Sequence, residues 1–520
     1  MDVFQNLIAP ELSGPPTGML PASCIRFIIT FRNQFQKQHY AHVLPMLLQQ
    51  LASQDIVVHT YAAAAIERIL TVKDAGGKEL VFGRADLQPH LQALFGGLFG
   101  IIESDNAENE YVMKCVMRSL AVIAEDVKPV TEMIMSKLTA ALGLVCKNPS
   151  NPRYNHFLFE SIAVLVRNVC STSPEAVAAF EPLLFPPFQT VLQMEVTEFI
   201  PYVFQVLAQL LEYRAPGEAL SASYTGLFAP LLTPTLWESK GNVPALTRLI
   251  VAYVNKGGVP LLSSGNNLMG VLGVFQKLIS SKANEASGFL VITGLLEHLG
   301  IDTLKEQVPQ VFQILMMRLQ SAKTAKFCRL MTLFISFFVA KFGAKAFLGL
   351  MNGIQPGLGV MVLGPVFAKT IVVDGAVYNK LDTKTIVLGI TALLEEAEIV
   401  QGGMESGSLW GNLVVAVCKL MHAAGVEKND NFEDPADAQI EVQFDSAFSK
   451  LNFAGAVAVD KFSATPDFAA AFVQKLSALC AAQPGSLLAL ANGELDKVDN
   501  GKYKTVLQEV CGKYGVNSLM

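Results

Sequence analysis

Residues 198–211 read EFIPYVFQVLAQLL, and their apolar side chains recur at the three- and four-residue spacing of an α-helix. Pro201 stands where a helix would begin, a position that tolerates proline because its missing N–H would have no intrahelical partner. Residues 306–315, EQVPQVFQIL, repeat the pattern, and residues 273–278, GVFQKL, repeat its centre. The similarity indicates an internal repeat, with chance and shared helical patterning as the alternative.

The same periodicity extends outward in both directions, for example over residues 58–70 and 311–319. Stretches of about 12–20 residues are separated by short breaks rich in Pro, Gly, Asn or Ser. These breaks include residues 147–152, 173–174, 186–187, 240–242 and 257–258. About two dozen helices pair into about ten to twelve units of about 40 residues, the period of HEAT and armadillo repeats. The sequence therefore predicts an all-α, armadillo-like fold, a superhelical solenoid of HEAT repeats.

Two stretches interrupt the helical pattern. Residues 10–21 are rich in proline and are predicted to form a loop. Residues 427–445 carry seven acidic residues and one lysine, and we predict an acidic loop over 426–445. That loop is either a solvated linker or a docking site for a basic partner. The predicted organisation is a solenoid of about ten helix pairs over residues 1–425, the loop, and C-terminal helical repeats over 446–520 that cap the solenoid.

Composition favours a continuous buried core and protein partners. Hydrophobic residues make up 51% of the chain and charged residues 16%, which excludes global disorder. The net charge of −6 makes the chain a poor candidate for binding nucleic acid. The apolar stretch 330–340 is shorter than the roughly 20 residues that a membrane span needs. We therefore predict a buried helix there and no membrane insertion.

The cysteines and the N-terminus indicate an intracellular protein. The first residues lack a basic region followed by an apolar run, so no secretion signal is expected. The eight cysteines are widely separated and form no CxxC pair. In such a chain they are predicted to be reduced, mostly buried thiols.

Motifs of catalysis and cofactor binding are absent from the sequence, among them GxSxG, HExxH and GxxxxGK[ST]. His39 and His42 have no acidic or thiol partner nearby in sequence, so they predict no metal site. Residues 496–507 resemble a calcium loop at one glycine, but Val498 and Leu507 stand where oxygen ligands are needed. We predict no enzyme activity and no cofactor, and binding of other proteins as the use of a long helical surface.

Several blocks of the chain match one protein family in order and spacing. They are KNPSNPRYNHFLFE (147–160), IVVHTYAA (56–63), ENEYVMK (108–114), EFIPYVFQV (198–206), LWE (236–238) with GNVPAL (241–246), GVFQKLI (273–279) with SKAN (281–284), GIQP (353–356) and SKLNFAG (449–455). On these blocks the chain resembles the exportin-2 family, the importin-α re-exporters of the importin-β superfamily.

The resemblance implies a HEAT-repeat nuclear transport receptor. Such an exportin binds importin-α together with Ran in its GTP form in the nucleus, crosses the nuclear pore, and releases both in the cytoplasm after GTP hydrolysis. It implies importin-α, Ran and nuclear pore proteins as partners, and a location that alternates between nucleus and cytoplasm. A HEAT-repeat scaffold without nucleotide-gated release of cargo is the alternative.

The resemblance also implies that part of the family's architecture is missing. Family members are nearly twice this length, and the matched region is their C-terminal half. The N-terminal repeats, which make the main Ran contact in importin-β-like proteins, would be absent, so we expect a fragment. An apolar stacking face near Phe4, Leu7 and Ile8 would then lack a polar cap. Partial cargo binding is favoured over autonomous export.

Partner contacts in a solenoid come from polar residues on inner helices and from loop tips. The basic candidates for contacting Ran or importin-α are Lys147, Arg153, Lys240, Lys277, Lys282, Lys323 and Lys326. The acidic candidates, in the loop, are Glu433, Asp434 and Asp437. Each basic residue could instead be a solvated residue that complements a helix dipole. Packing between repeats is the favoured interpretation of Tyr154, Phe157 and Tyr202 over an anchoring role, and Trp237 is interpreted as structural.

Overall fold

The computed structural model describes residues 2–14, 18–104, 108–215, 217–404, 407–425 and 450–516. The chain divides into two units, the first comprising Met1–Gly257 with Phe432–Ala456 and the second Gly258–Asn431 with Val457–Met520. The chain therefore returns to the first unit, at residues 450–456, after most of the second unit is complete.

The first unit consists of helix pairs stacked in two rows. Its helices are α1 (Ala9–Leu12), α2 (Met19–Phe31), α3 (Lys37–Gln50), α4 (Ile56–Ile69), α5 (Arg84–Leu87), α6 (Leu91–Ser104), α7 (Glu110–Ile123), α8 (Thr131–Val145), α9 (Pro152–Cys170), α10 (Val177–Gln193), α11 (Ile200–Tyr213), α12 (Ala222–Leu231) and α13 (Asn242–Leu262). Helices α2, α4, α7, α9 and α11 form one row, and α3, α6, α8 and α10 form the other. Helix α13 is interrupted at Gly258, whose φ of 51° and ψ of −149° are not helical, and its residues from Gly258 on belong to the second unit.

The second unit repeats this arrangement. Its helices are α14 (Asn267–Ser280), α15 (Glu285–Thr303), α16 (Val308–Ser321), α17 (Ala325–Phe342), α18 (Ala344–Ile354), α19 (Leu358–Val362), α20 (Lys369–Val372), α21 (Lys380–Leu393), α22 (Ala397–Gln401), α23 (Leu409–Gly425), α24 (Phe468–Ala482), α25 (Ser486–Leu495) and α26 (Lys502–Lys513). Helices α15, α17, α21 and α23 form one row, and α14, α16 and α18 the other. Strands β1 (Gly403–Met404) and β2 (Gly407–Ser408) pair antiparallel. The predicted all-α HEAT-repeat class is confirmed.

Short irregular helices connect or extend these elements. The 3-10 segments are Arg32–Gln34, Gln88–His90, Ala124–Val130, Pro174–Ala176, Pro234–Trp237 and Asp499–Gly501, and the π-helical segments are Phe4–Ile8 and Leu363–Ala368.

Local sequence signals explain where several helices begin. The Asn151 side chain accepts a hydrogen bond from the Tyr154 N–H at 3.2 Å, and Pro152 opens α9. Asn at the N-cap and Pro in the first turn satisfy or remove N–H groups that have no intrahelical acceptor. Pro201 and Pro309 likewise lie in the first turns of α11 and α16, as predicted.

Two predicted breaks are wrong. Pro186 and Pro187 lie inside α10, which runs from Val177 to Gln193. Each proline removes one helical hydrogen bond, but burial of neighbouring side chains such as Phe185 and Phe188 holds the helix in place. Residues 10–12 and 19–21 are helical rather than loop. Leu12 is completely buried, so packing decides the conformation there.

Buried ion pairs recur between helices of the stacks. Arg118 lies 3.4 Å from Glu67, Arg214 pairs with Glu181, and Arg318 lies 2.8 Å from Glu285. The partners are 51, 33 and 33 residues apart in sequence, so each pair joins neighbouring helices. Removing one member of such a pair leaves a buried charge without compensation, which is strongly destabilising.

The apolar stretches lie inside the units. Seven of the eight cysteines are buried, and Cys480 is partly buried. Residues 330–340 lie in α17, where Phe334, Ile335 and Phe338 are buried as predicted. Among the described residues, no single helix is long and apolar enough to span a membrane. Residues 344–354 and 358–372 meet the length and composition criteria only together, as a pair bent by 100°.

Candidate protein-binding surfaces

A non-helical segment, residues 450–456, lies against polar side chains of the first unit and contains a turn at Asn452–Gly455; we refer to it as the strap. The carboxylate of Glu160 on α9 accepts hydrogen bonds from the backbone N–H groups of Asn452 and Phe453, at 2.6 and 3.0 Å. On α11, the Gln205 side-chain oxygen accepts one from the N–H of Leu451 at 2.8 Å. Side chains on helices thus bind the backbone of a segment that is distant in sequence.

The strap's carbonyl groups are bound as well. The Gln209 amide donates to the carbonyl oxygen of Phe453 at 3.0 Å, and the Arg248 guanidinium donates to that of Ala454. Glu212 holds Arg248 in position with two contacts, at 2.8 and 2.6 Å. We call Glu160, Gln205, Gln209 and Arg248 the groove. They lie on α9, α11 and α13, so the groove crosses three helices.

Apolar side chains of the strap complete the contact. Leu451 and Ala454 are fully buried, Phe453 is 1% exposed, and the Arg167 guanidinium lies 4.6 Å from the centre of the Phe453 ring. Burying a side chain such as Leu or Phe contributes about 1.5–3 kcal/mol each. The strap is therefore bound by backbone hydrogen bonds and by two large apolar anchors.

Burial perturbs two titrating groups in the groove region. Burial raises the pKa of Glu160 to about 7, although the N–H groups of Phe453 and Asn452 and the charge of Arg167 act to lower it. Burial lowers the pKa of His156 to about 4. The Nε2 atom of His156 lies 3.6 Å from Glu160, and its Nδ1 atom lies 3.0 Å from the Tyr202 hydroxyl.

The two shifts act on stability in opposite directions. Glu160 holds its proton in the folded chain but loses it in the unfolded chain between pH 4.5 and about 7, so its contribution to stability falls as pH rises through that window. His156 is neutral when folded but protonated when unfolded between about pH 4 and 6.5. Its contribution therefore rises with pH, and the two partly cancel.

Changing Glu160 to Gln removes one of these two effects. The quantity to compare is the free energy of unfolding of the wild type minus that of Glu160→Gln. We expect this difference to fall by on the order of 3 kcal/mol as the pH rises from 4.5 to 7. Urea denaturation at a series of pH values measures this difference. Glu132→Gln, at an exposed position of the same unit, should leave the profile unchanged. A wild-type-to-variant difference that is constant with pH would contradict the prediction.

Several of the predicted basic residues meet at one edge of the second unit. Lys326 donates to the carbonyl oxygens of Lys282 and Ala283 at 3.3 and 3.4 Å, so the α14–α15 and α16–α17 connections are adjacent. Lys323 donates to the carbonyl oxygen of Pro365 at 3.0 Å. Such contacts also satisfy carbonyl groups near helix ends.

Lys369 extends this edge, and the sequence prediction missed it. Lys323 and Lys369 both lie near the Cys328 thiol. Burial raises the pKa of this thiol, and the charges of the two lysines act to lower it. Lys282, Lys323, Lys326 and Lys369 are all exposed, and we call them the basic edge. Lys277 is also exposed, in the last turn of α14.

The remaining predicted basic residues lie elsewhere. Lys147 is exposed after α8, and Lys240 is exposed before α13. Arg153, in the first turn of α9, lies 3.3 Å from Glu110. These three belong to the first unit, whereas the basic edge belongs to the second. Glu433, Asp434 and Asp437, with the predicted acidic loop, lie outside the described residues, so their role stays a prediction.

The aromatic candidates are core residues. Tyr154, Phe157 and Tyr202 are each at most 7% exposed, which confirms packing between repeats over an anchoring role. Trp237 is buried and donates its indole N–H to the carbonyl oxygen of Leu231 at 2.9 Å, which confirms its structural role. His39 and His42 make local bonds, His39 Nδ1 with the Gln36 N–H and His42 Nδ1 with the Gln38 carbonyl.

The groove residues were not among the predicted site residues, although a local signal marked them. Gln205 and Gln209 lie one helical turn apart among the buried apolar residues of α11, and both are buried themselves. Glu160 is likewise buried among apolar residues of α9. Buried polar side chains require hydrogen-bond partners, and this requirement could have identified them.

Two stacks of helix pairs, with a basic edge and with a groove that binds a short non-helical segment, define a HEAT-repeat binding protein. A family model described as "CAS/CSE protein, C-terminus" matches residues 67–509, and one described as "Cse1" matches residues 1–66. The chain belongs to this CAS/CSE family, which confirms the resemblance to the exportin-2 family.

Individual relatives agree with the family match. Exportin-2 of Oreochromis niloticus and of Homo sapiens are each 37% identical over 459 residues, covering 87% of this chain and 46% of theirs. Exportin-2 of Drosophila melanogaster is 36% identical over 522 residues, covering 98% and 52%. A solved structure described as "The exportin Cse1 in its cargo-free, cytoplasmic state" matches with a TM-score of 0.74 and 25% identity, covering 98% of this chain and 50% of that one. The chain spans about half the length of the relatives it matches.

Proposed function

We propose that this chain is the cargo-binding part of a nuclear transport receptor. It binds importin-α together with Ran in its GTP form and takes part in returning importin-α to the cytoplasm. The observation that carries this proposal is the 37% identity to relatives named Exportin-2 over 87% of the chain. The chain acts by binding rather than by catalysis, and it moves between nucleus and cytoplasm through contacts with nuclear pore proteins.

The surfaces of the two units support a binding role. The basic edge presents four exposed lysines, which complement acidic patches on a protein partner. Exposed charges of this kind mainly accelerate association and select partners. The helical rows supply a rigid support on which the connections between helices are held in order.

The proposed function is tested by a pull-down with immobilised importin-α. The chain is added alone, with Ran bound to a non-hydrolysable GTP analogue, or with Ran bound to GDP. Retention that increases with the GTP form only is the expected result. Retention that does not respond to Ran, or no retention, would contradict a Ran-gated receptor.

A scaffold that binds partners without nucleotide-gated release is the second candidate. The stacked helical rows support it, because a solenoid presents an extended surface for binding other proteins. The same pull-down separates the two, because a scaffold retains importin-α equally with either nucleotide form of Ran.

Reversing charge on the basic edge should weaken partner binding. We expect Lys282→Glu with Lys326→Glu to reduce the affinity for the importin-α and Ran mixture about 10-fold at low salt and less at high salt. Both side chains are exposed, so the free energy of unfolding should change by less than about 1 kcal/mol. Surface plasmon resonance at two salt concentrations measures the affinity.

The matched control changes exposed lysines at the other ends of the same helices. Lys305 follows α15, and Lys345 follows α17, so both are separated from the basic edge by a helix length of roughly 27 Å. Lys305→Glu with Lys345→Glu makes the same change in net charge. An equal loss of affinity in both double variants would show that only net charge matters.

A further inference from the structure

The groove recognises the strap largely as a peptide backbone. Side chains of the groove bind three consecutive N–H groups, at residues 451–453, and the carbonyl groups of Phe453 and Ala454. These are main-chain groups, which any peptide that adopts the same turn can present. The side chains of Leu451 and Phe453 add sequence preference, because both are buried.

The strap's bound region is as short as a peptide ligand. Lys450 is exposed on one side, and residues 456–459 are exposed on the other. Val457 and Val459 are 76% and 71% exposed, so the chain leaves the groove directly after Gly455. The partners of the strap's hydrogen bonds are 206–293 residues away in sequence.

The groove side chains are positioned by partners other than the strap. Gln205 donates to the carbonyl oxygen of Pro201 at 3.1 Å, and Gln209 donates to that of Ala163 at 3.1 Å. Glu212 holds Arg248. These bonds do not involve the strap, so the groove side chains are organised in advance of binding, which lowers its entropic cost.

We propose that the groove is a binding site for a short peptide that turns as residues 452–455 do, and that the strap is its occupant, a ligand carried by the same chain. A separate peptide of the same sequence then binds the groove when the strap is withdrawn. The ligand is a short backbone with a turn, closed in the strap by the bond from the Gly455 N–H to the Asn452 carbonyl oxygen at 3.2 Å, and it carries two large apolar side chains two positions apart, as in the strap's Leu451 and Phe453.

Attachment to the same chain gives the strap an advantage over a free peptide. A segment that belongs to the same chain as its binding site can have an effective concentration on the order of 1 mM. If the free peptide binds with a Kd of about 10–100 μM, then for every molecule whose groove is empty there are about 10 to 100 molecules whose groove is occupied by the strap. The apparent affinity of the wild-type chain for the free peptide is then about 10- to 100-fold weaker than that of an empty groove.

The test withdraws the strap in the full chain and adds the peptide back. Leu451→Asp with Phe453→Asp places two charges in buried positions, which unseats the strap. A fluorescent peptide of residues 450–456 should bind this variant with at least 10-fold higher affinity than it binds the wild type, by fluorescence anisotropy. A peptide carrying Phe453→Asp should not bind.

The matched control changes two exposed residues beside the strap. Val457→Asp with Val459→Asp adds the same charge but leaves the buried anchors in place, so the peptide should bind it as weakly as it binds the wild type. If the unseated variant keeps its helical circular dichroism and cooperative unfolding but does not bind the peptide at 1 mM, the proposal is overturned.

Hydrogen exchange on the wild type decides the question if the unseated variant does not fold. The N–H groups of residues 451–453 should exchange faster than those of Phe157–Ser161 in the middle of α9, because a bound ligand leaves its site without unfolding it. Exchange of both sets at one rate would show that the strap is an inseparable part of the core. This measurement involves neither Ran nor importin-α, so its outcome is independent of the proposed transport function.

Discussion

Replacing Glu285 with Ala lowers the free energy of unfolding of the second unit by about 3–5 kcal/mol. Glu285 and Arg318 are both buried, with Arg318 Nη2 2.8 Å from Glu285 Oε2. Arg318 keeps two carbonyl acceptors, Ile279 at 3.2 Å and Ala322 at 2.7 Å. Without Glu285, however, its charge stays buried without a counter-charge.

Fluorescence of Trp410 during chemical denaturation measures this effect. Trp410 is fully buried in the second unit, and the chain's other tryptophan, Trp237, can be changed to Phe in every variant compared. The control is Asp496→Ala, which breaks the exposed pair of Asp496 with Lys504 and should change stability by less than about 1 kcal/mol. Equal effects of the two changes would mean that burial does not determine how much an ion pair contributes to the free energy of unfolding of this unit.

Replacing Gly389 with Val destabilises the same unit by about 4 kcal/mol or more, beyond the usual cost of overpacking. Gly389 on α21 faces Ser336 on α17, and a Cβ atom there would lie 2.7 Å from both the Cα and the carbonyl oxygen of Ser336. The obstruction is backbone, so a change of rotamer cannot relieve it. Helices α17 and α21 must separate to admit the side chain.

Gly349→Ala is the matched control for the Gly389 variant. Gly349 lies in α18 of the same unit, and a Cβ atom there meets nothing within 4 Å. Alanine should stabilise that helix by about 0.5–1 kcal/mol, because glycine costs more backbone entropy on folding. If Gly389→Val unfolds at the wild-type denaturant concentration, the close approach of α17 and α21 does not determine stability.

Features of the fold that depend on residues close together in the sequence could be predicted from it. Apolar periodicity predicts α11, and the Asn-Pro pair at 151–152 predicts the start of α9. The repeat period also explains the basic edge: Lys282 and Lys326 are 44 residues apart, so equivalent turns of successive repeats are adjacent. Pro186 and Pro187 fail as helix breakers because tertiary packing outweighs local preference.

The strap could not be predicted in the same way. Its contacts join residues more than 200 positions apart, and no local pattern specifies such a pairing. The block SKLNFAG at 449–455 was one of those resembling the exportin-2 family, but resemblance alone does not say what the block contacts. Only the buried polar side chains of α9 and α11 indicated that a partner was required there.

The long separation between groove and strap has a consequence for synthesis on the ribosome. Translation adds roughly 5–20 residues per second. The Arg–Glu pairs, 33–51 residues apart, therefore have both members made within about 2–10 s. The groove is complete once Arg248 has been made, but Ala454 follows 206 residues later, or about 10–40 s at the same rate. For that interval every nascent chain carries an empty groove whose hydrogen-bonding side chains are available to other polypeptides nearby, including a chaperone's or a neighbouring nascent chain's.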